Sequence, residues 1–114
     1  LGQALVKSKL QLDGKCVSSV ITAAEMKEFE VEPKHLEGIV QQLRVTKDVD
    51  ASIFLYENAE GSYKVSMRSN EKVDVAQVMM AFGGGGHVRA AGATVTGEPD
   101  DILQQVLEQV AKQL

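Results

Sequence analysis

Apolar positions recur along the chain at two spacings, and each change of spacing marks a new element. Val6 to Leu12 is extended and partly alternating, Asp13-Gly14 is a strong tight-turn dipeptide, and Cys16 to Ile21 is rich in β-branched residues. Together they predict a hairpin. Thr22 is placed to cap a short helix through Met26 and Phe29, with Glu25 three residues on completing a capping box. After Pro33, Leu36, Ile39, Val40 and Leu43 fall at i, i+3, i+4 and i+7, the stripe of an amphipathic helix. Between Val49 and Tyr56 the run Ile53-Phe54-Leu55-Tyr56 is apolar on both faces, as in a central strand covered on two sides. Asn58 to Ser62, with Gly61, turns the chain into a second strand, where Tyr63, Val65 and Met67 alternate with Lys64, Ser66 and Arg68. One face of that strand is buried, and the other presents two cations and a hydroxyl. Asp74 predicts the N-cap of a helix buried through Val75, Val78, Met79 and Phe82, with Met79-Met80 read as core packing. That helix stops at four consecutive glycines, and a short strand over Ala93 to Val95 follows. A last helix starts near Pro99, with Asp100 and Asp101 in the first turn, where the helix dipole favours negative charge. Ile102, Leu103, Val106, Leu107, Val110 and Leu114 give it an apolar face. The order β-β-α-α-β-β-α-β-α predicts one α/β domain over residues 1–114, a mixed β-sheet covered by helices.

Composition narrows the class. The 114 residues are 44% apolar and 25% charged, enough for one real core and too hydrophobic for a disordered tail. No apolar run approaches the ~18 residues of a membrane span, and no basic-then-apolar leader opens the chain. Beginning at Leu1, the sequence reads as a piece of something longer. A single cysteine, Cys16, excludes an internal disulfide and cannot alone make a thiolate zinc site. It reads as a small buried or edge-strand residue, and a reducing, cytoplasmic setting is expected. A net charge of −4 speaks against a general nucleic-acid coat, and two Tyr, three Phe and no Trp leave little surface for stacking bases. The charge is uneven. Between Gly61 and Gly92 stand four cations (Lys64, Arg68, Lys72, Arg89) and two carboxylates (Glu71, Asp74), a net of +2. The remainder holds eight cations and fourteen carboxylates, a net of −6. An acidic body with one positive window suits a small phosphorylated ligand.

The chemistry concentrates in Gly83-Gly84-Gly85-Gly86-His87-Val88-Arg89-Ala90-Ala91-Gly92. Successive glycine amides can form a concave anion nest with no Cβ to block a phosphate, and His87 and Arg89 stand beside it. The alternative reading is a flexible surface loop. The dinucleotide fingerprint does not fit, because a third glycine would have to stand at Val88 or Arg89, and no Lys-Ser/Thr follows as a P-loop requires. Met67-Arg68-Ser69-Asn70 closes a strand just before the helix that leads into the glycines. Arg68 can grip phosphate through its fork of donors and Ser69 can add a hydroxyl; the alternative is a solvated cation and turn residues. His35 reads as a surface histidine at a helix start, and Glu25, Glu28, Glu30 and Glu32 as a solvated face.

Arg68-Ser69-Asn70 through Val73-Asp74-Val75, then Phe82-Gly83-Gly84-Gly85-Gly86-His87 and Ala90-Ala91-Gly92, closely resembles the C-terminal DHHA1 domain of the DHH phosphoesterases. The similarity is greatest to the subgroup of nanoRNases that also act as phosphoadenosine-phosphate phosphatases. It is sharpest over Tyr63 to Val95 and looser upstream through Gly38-Ile39-Val40 and Leu43. The resemblance implies a two-domain enzyme, in which an N-terminal DHH domain binds two manganese ions and the DHHA1 domain closes over them, holding the substrate's phosphates and nucleotide. The residues so implied here are Arg68, Ser69, Gly83, Gly84, Gly85, Gly86, His87 and, with weaker motif support, Arg89. The sequence carries no Asp-His-His string, so manganese and the hydroxide it generates are expected from the absent domain, and this chain is expected to catalyse nothing by itself. The expected partners are short RNA, phosphoadenosine phosphate or a dinucleotide, together with the DHH domain. A homodimer is also compatible with the sequence, and a membrane is not expected. A non-catalytic RNA module like the related domain of alanyl-tRNA synthetases, and a regulatory or dimerisation domain, remain as other readings.

Overall fold

The hairpin predicted at the start of the chain forms with a short first arm. Strand β1 (Lys9–Gln11) pairs antiparallel with β2 (Cys16–Ile21). The computed structural model describes residues 8–28, 30, 36–45 and 48–114, so the earlier part of the predicted first strand, Phe29, Pro33 and His35 lie outside it. The turn joining β1 to β2 is closed by the Gly14 amide donating to the Gln11 carbonyl at 3.1 Å. The chain then passes through α1 (Ala23–Glu28) and α2 (Leu36–Arg44) before β3 (Ala51–Ala59), which lies parallel to β2. The capping box is present. The Glu25 amide donates to Thr22 Oγ1 at 3.2 Å, and the Thr22 amide donates to Glu25 Oε1 at 3.0 Å.

Strand β3 runs three residues past the predicted Tyr56 and turns at Glu60-Gly61 into antiparallel β4 (Ser62–Ser69). Helix α3 (Val75–Met80) follows, its first turn closed by Asp74 Oδ1 accepting from the Gln77 amide at 3.0 Å. Two strands, not one, then precede α4 (Pro99–Ala111): β5 (Gly85–His87) and β6 (Ala90–Thr96). Half of the glycine run is therefore strand, and the predicted Ala93–Val95 segment extends at both ends. The six-stranded sheet has the order β1-β2-β3-β4-β6-β5.

Strand alternation separates two cores. Ile53, Leu55, Tyr63, Val65 and Met67 pack with Val75, Val78 and Met79 of α3 and with Ile102, Val106 and Val110 of α4. Phe54, from between Ile53 and Leu55, joins Val17, Ile21, Leu36, Ile39, Val40 and Leu43 in the second cluster, beneath α2. The run predicted to be covered on two sides is so covered. Met80 departs from expectation. It stands one residue, about 100° of helix, beyond the buried Met79 and is 68% exposed. Leu114, three residues past the end of α4, is 43% exposed and leaves the apolar face that its spacing suggested.

Candidate functional site

The second cluster draws on β2 and β3, so the same sheet face continues over β4, β6 and β5 without that apolar cover. Strand register fixes what stands there. Residues directly opposite one another in neighbouring strands share a face. Arg68 is opposite Ala90, which is opposite His87. One row along, Ser66 is opposite Gly92, which is opposite Gly85. The result is a shallow groove of about 300 Å³ lined by Ser66, Arg68, Gly85, Gly86, Ala90 and Gly92, with backbone of Ala91 at its floor. Arg68 is half-buried and donates through Nη1 to the Met67 carbonyl at 2.9 Å, which stiffens the guanidinium. His87 is exposed at the outer end of its row. Glycine and alanine between the two leave the backbone bare for close approach.

The four glycines do different work. The Gly84 amide donates to the Met79 carbonyl at 2.9 Å and the Gly83 amide to Met80 at 3.2 Å, with Gly83 at φ 81°, the Schellman pattern that ends a helix. These two amides complete α3 and are not part of an open nest. Gly84 also has no room for a side chain, since a Cβ there would stand 2.2 Å from the Gly92 carbonyl oxygen. Gly85 differs. Its backbone is not in the positive-φ region, and a Cβ on it would meet nothing within 4 Å. Neither conformation nor packing requires glycine there, and what its absent side chain leaves clear is the groove.

Ser69 and Arg89, expected as ligand contacts, face inward. Ser69 is fully buried, and its hydroxyl donates to the Val73 carbonyl at 2.6 Å. Arg89 Nη1 donates to the same carbonyl at 2.7 Å and to Ser69 Oγ at 3.0 Å, and Nη2 donates to the Glu71 carbonyl. The amides of that turn point the other way. Glu71, Lys72 and Val73 donate to the Asp50 carboxylate at 2.8, 3.0 and 2.9 Å. The filled anion nest of this domain is therefore here, and its anion is the chain's own. Partial burial pushes the Asp50 pKa up, but the three amides and the Arg89 charge outweigh it and hold the group below its ordinary 3.8. Cys16 is fully buried, and burial together with the Asp50 charge pushes its thiol up to about 12, so it is no nucleophile.

Of the residues singled out in the sequence, Arg68, Gly85 and Gly86 line this groove, and His87 stands beside it, opposite Ala90. Ser66 also lines it, on the face of β4 that its alternation with Arg68 predicts. Asp50 carried no local signal at all, since its partners lie more than twenty residues away. Among the described residues no three of His, Cys, Asp or Glu converge as a metal site would need. No described helix is long and apolar enough to cross a membrane.

Helices on both sides of a mixed sheet, with part of one face left open above a cation, an imidazole and bare backbone, define a three-layer α/β module. Residues 13–114 match the DHHA1 domain family, and the chain belongs to it. Within that family it resembles the nanoRNase-like branch of the DHH phosphoesterases. Over 79 residues it is 39% identical to the bifunctional oligoribonuclease and PAP phosphatase NrnA of Thermus thermophilus, an overlap of 68% of this chain and 24% of that protein. The chain thus spans about a quarter of that relative's length. An exopolyphosphatase-related protein from Bacteroides fragilis superposes with a TM-score of 0.88 at 28% identity, over 97% of this chain and 33% of the other. The C-Ala domain of Aquifex aeolicus alanyl-tRNA synthetase superposes at 0.62 over 94% of this chain and 97% of its own, and at 19% identity it shares the fold alone.

Proposed function

We propose that this domain holds the phosphates and nucleotide of a short substrate for a DHH-family phosphodiesterase, and that an N-terminal DHH domain of the same protein supplies the manganese ions and attacking water. The substrate class is a very short oligoribonucleotide, phosphoadenosine phosphate or a dinucleotide, in line with the name of the Thermus thermophilus relative. The observation that carries this reading is the cross-strand row Arg68–Ala90–His87 beside a floor of Gly85 and Gly92. Arg68 offers a planar fork for phosphate oxygens, and His87 offers a second donor across the groove. Gly85, which the fold does not require, lets the ligand approach backbone. The contribution is positioning and charge neutralisation, which act only when the reacting groups are supplied opposite.

Calorimetry of the chain with phosphoadenosine phosphate and with a diribonucleotide tests this. Weak binding is expected because half of the site belongs to the other domain. Arg68→Ala and His87→Ala should each weaken it about tenfold, the loss of one charge-assisted hydrogen bond of roughly 1.4 kcal/mol. Unchanged affinity in both variants defeats the proposal. Tight tRNA binding with a steep salt slope would point instead to a non-catalytic RNA module.

A further inference from the structure

We propose that Arg89 is a positioning residue, paired through the 70–74 turn with Asp50, that sets where His87 stands relative to Arg68. The proposal rests on the groove reading above and goes beyond it, because it concerns residues that do not face the groove.

The turn between β4 and α3 is held from both sides. Its amides at Glu71, Lys72 and Val73 point at the Asp50 carboxylate, and its carbonyls at Glu71 and Val73 point at the Arg89 guanidinium. Peptide dipoles have their positive end at N–H and their negative end at C=O. One peptide unit, the Glu71 carbonyl with the Lys72 amide, therefore meets the cation at its negative end and the anion at its positive end, and the neighbouring units of the turn each meet one of the two. Arg89 occupies the tip of the β5–β6 hairpin, which is tied to the same turn by backbone. The Ser69 amide donates to the Arg89 carbonyl at 3.1 Å, and the Val75 amide donates to the Val88 carbonyl at 3.0 Å.

That anchoring matters because β5 has few side chains of its own to pack. It is a three-residue edge strand, Gly85-Gly86-His87, bonded to β6 on one side. Two of its residues have no side chain to pack, and edge strands of this length are the first to fray. His87 is the last residue of β5 and stands two positions before Arg89. A tip fixed by Arg89 holds the backbone from which the exposed His87 imidazole projects.

Lysine cannot replace this arginine. Three acceptors, the Glu71 and Val73 carbonyls and Ser69 Oγ, are met by two nitrogens of one rigid plane, which a point charge on a flexible stem does not reproduce.

The test uses the whole chain with Arg89→Ala, Arg89→Lys and Asp50→Asn, and reads two quantities. Amide hydrogen exchange and the His87 ring resonances report the hairpin tip without any ligand, and calorimetry with phosphoadenosine phosphate reports the groove. Arg89→Ala should raise exchange at Val75 and Ser69 by about tenfold or more while β3 amides stay protected, shift the His87 ring signals, and weaken binding severalfold. Arg89→Lys should restore neither, and Asp50→Asn should act in the same direction. Protected β3 amides confirm that each variant is folded; a variant that loses them is replaced by Arg89→Met, which keeps the stem. Unchanged exchange and His87 signals in Arg89→Ala overturn the proposal. So does lost binding with an unmoved tip, which would make Arg89 a direct ligand contact. If no variant nor the parent chain binds nucleotide but the tip still loosens, the groove reading fails and the clamp stands.

Discussion

Gly84 and Gly85 are neighbours in sequence, yet physics asks opposite things of them. A methyl group at Gly84 would collide with the Gly92 carbonyl oxygen at 2.2 Å and the Ala93 Cβ at 2.6 Å, both fixed in β6. Gly84→Ala should therefore cost about 1–3 kcal/mol through overpacking, only partly offset by a stiffer unfolded chain. Urea unfolding of the variant checks this by a lowered midpoint at unchanged slope. Gly85→Val should change the unfolding free energy by no more than about 1 kcal/mol, since a β-branched residue suits an edge strand with open space beside it. The same variant should lose nucleotide affinity, because its side chain enters the groove. If Gly85→Val unfolds the domain, the glycine there is structural and the flat floor has no ligand behind it.

At the scale of elements, α3 carries the glycine loop and is too short to stand alone. Its six residues fall well below the ~12–15 needed for an isolated helix, so its position comes from its cap and its packing. Val75, Val78 and Met79 give the packing. Asp74 gives the cap, and Gln113 grips the Asp74 backbone on both sides, accepting from its amide at 2.7 Å and donating to its carbonyl at 3.2 Å. The C-terminal end of the chain thereby braces the start of the helix that leads to the site. Asp74→Ala should destabilise the domain by about 1 kcal/mol, while Asp74→Asn, an equally good cap, should restore most of it. Equal losses in the two variants, measured by thermal or chemical unfolding, would show that the cap is not what Asp74 contributes.

On the scale of the whole molecule, the sheet is unevenly clothed. One face is closed by α3 and α4, and the other is covered by apolar packing over β2 and β3 and left bare over β4, β6 and β5. Lys64 and Arg68 stand on that bare part, two cations on one face of a chain whose net charge is −4. The same charge arrangement governs acid stability. Asp50 is held below its ordinary 3.8 in the folded chain, so its folded form binds fewer protons than the unfolded one. Its contribution is complete above that value and fades as pH falls through it toward the folded pKa. Urea unfolding between pH 7 and pH 3 should show stability falling below about pH 4, with a shallower fall in Asp50→Asn. An equally steep fall in that variant would assign the acid limb to other carboxylates.

Much of this was legible along the chain, because its signals are local. The i, i+3, i+4 stripe of α2, the alternation of β4, the two-sided apolar run of β3, the Thr22–Glu25 box and the Asp74 cap each depend on residues within a few positions of one another. The fold class and the family likeness follow from the sequence by itself, as does the choice of Arg68 and His87 as groove candidates. What only tertiary structure decided depends on pairings that no short window contains. Strand β5 has no hydrophobic pattern, being mostly glycine, and exists because β6 offers it a register. Arg89 and Ser69 look like ligand contacts in sequence and turn inward once the β4–α3 turn arrives beside them, with Asp50 brought to its far side from twenty residues away. Periodicity records which face a residue shows; whether that face meets a ligand or the chain itself is settled by which distant backbone groups still lack a partner.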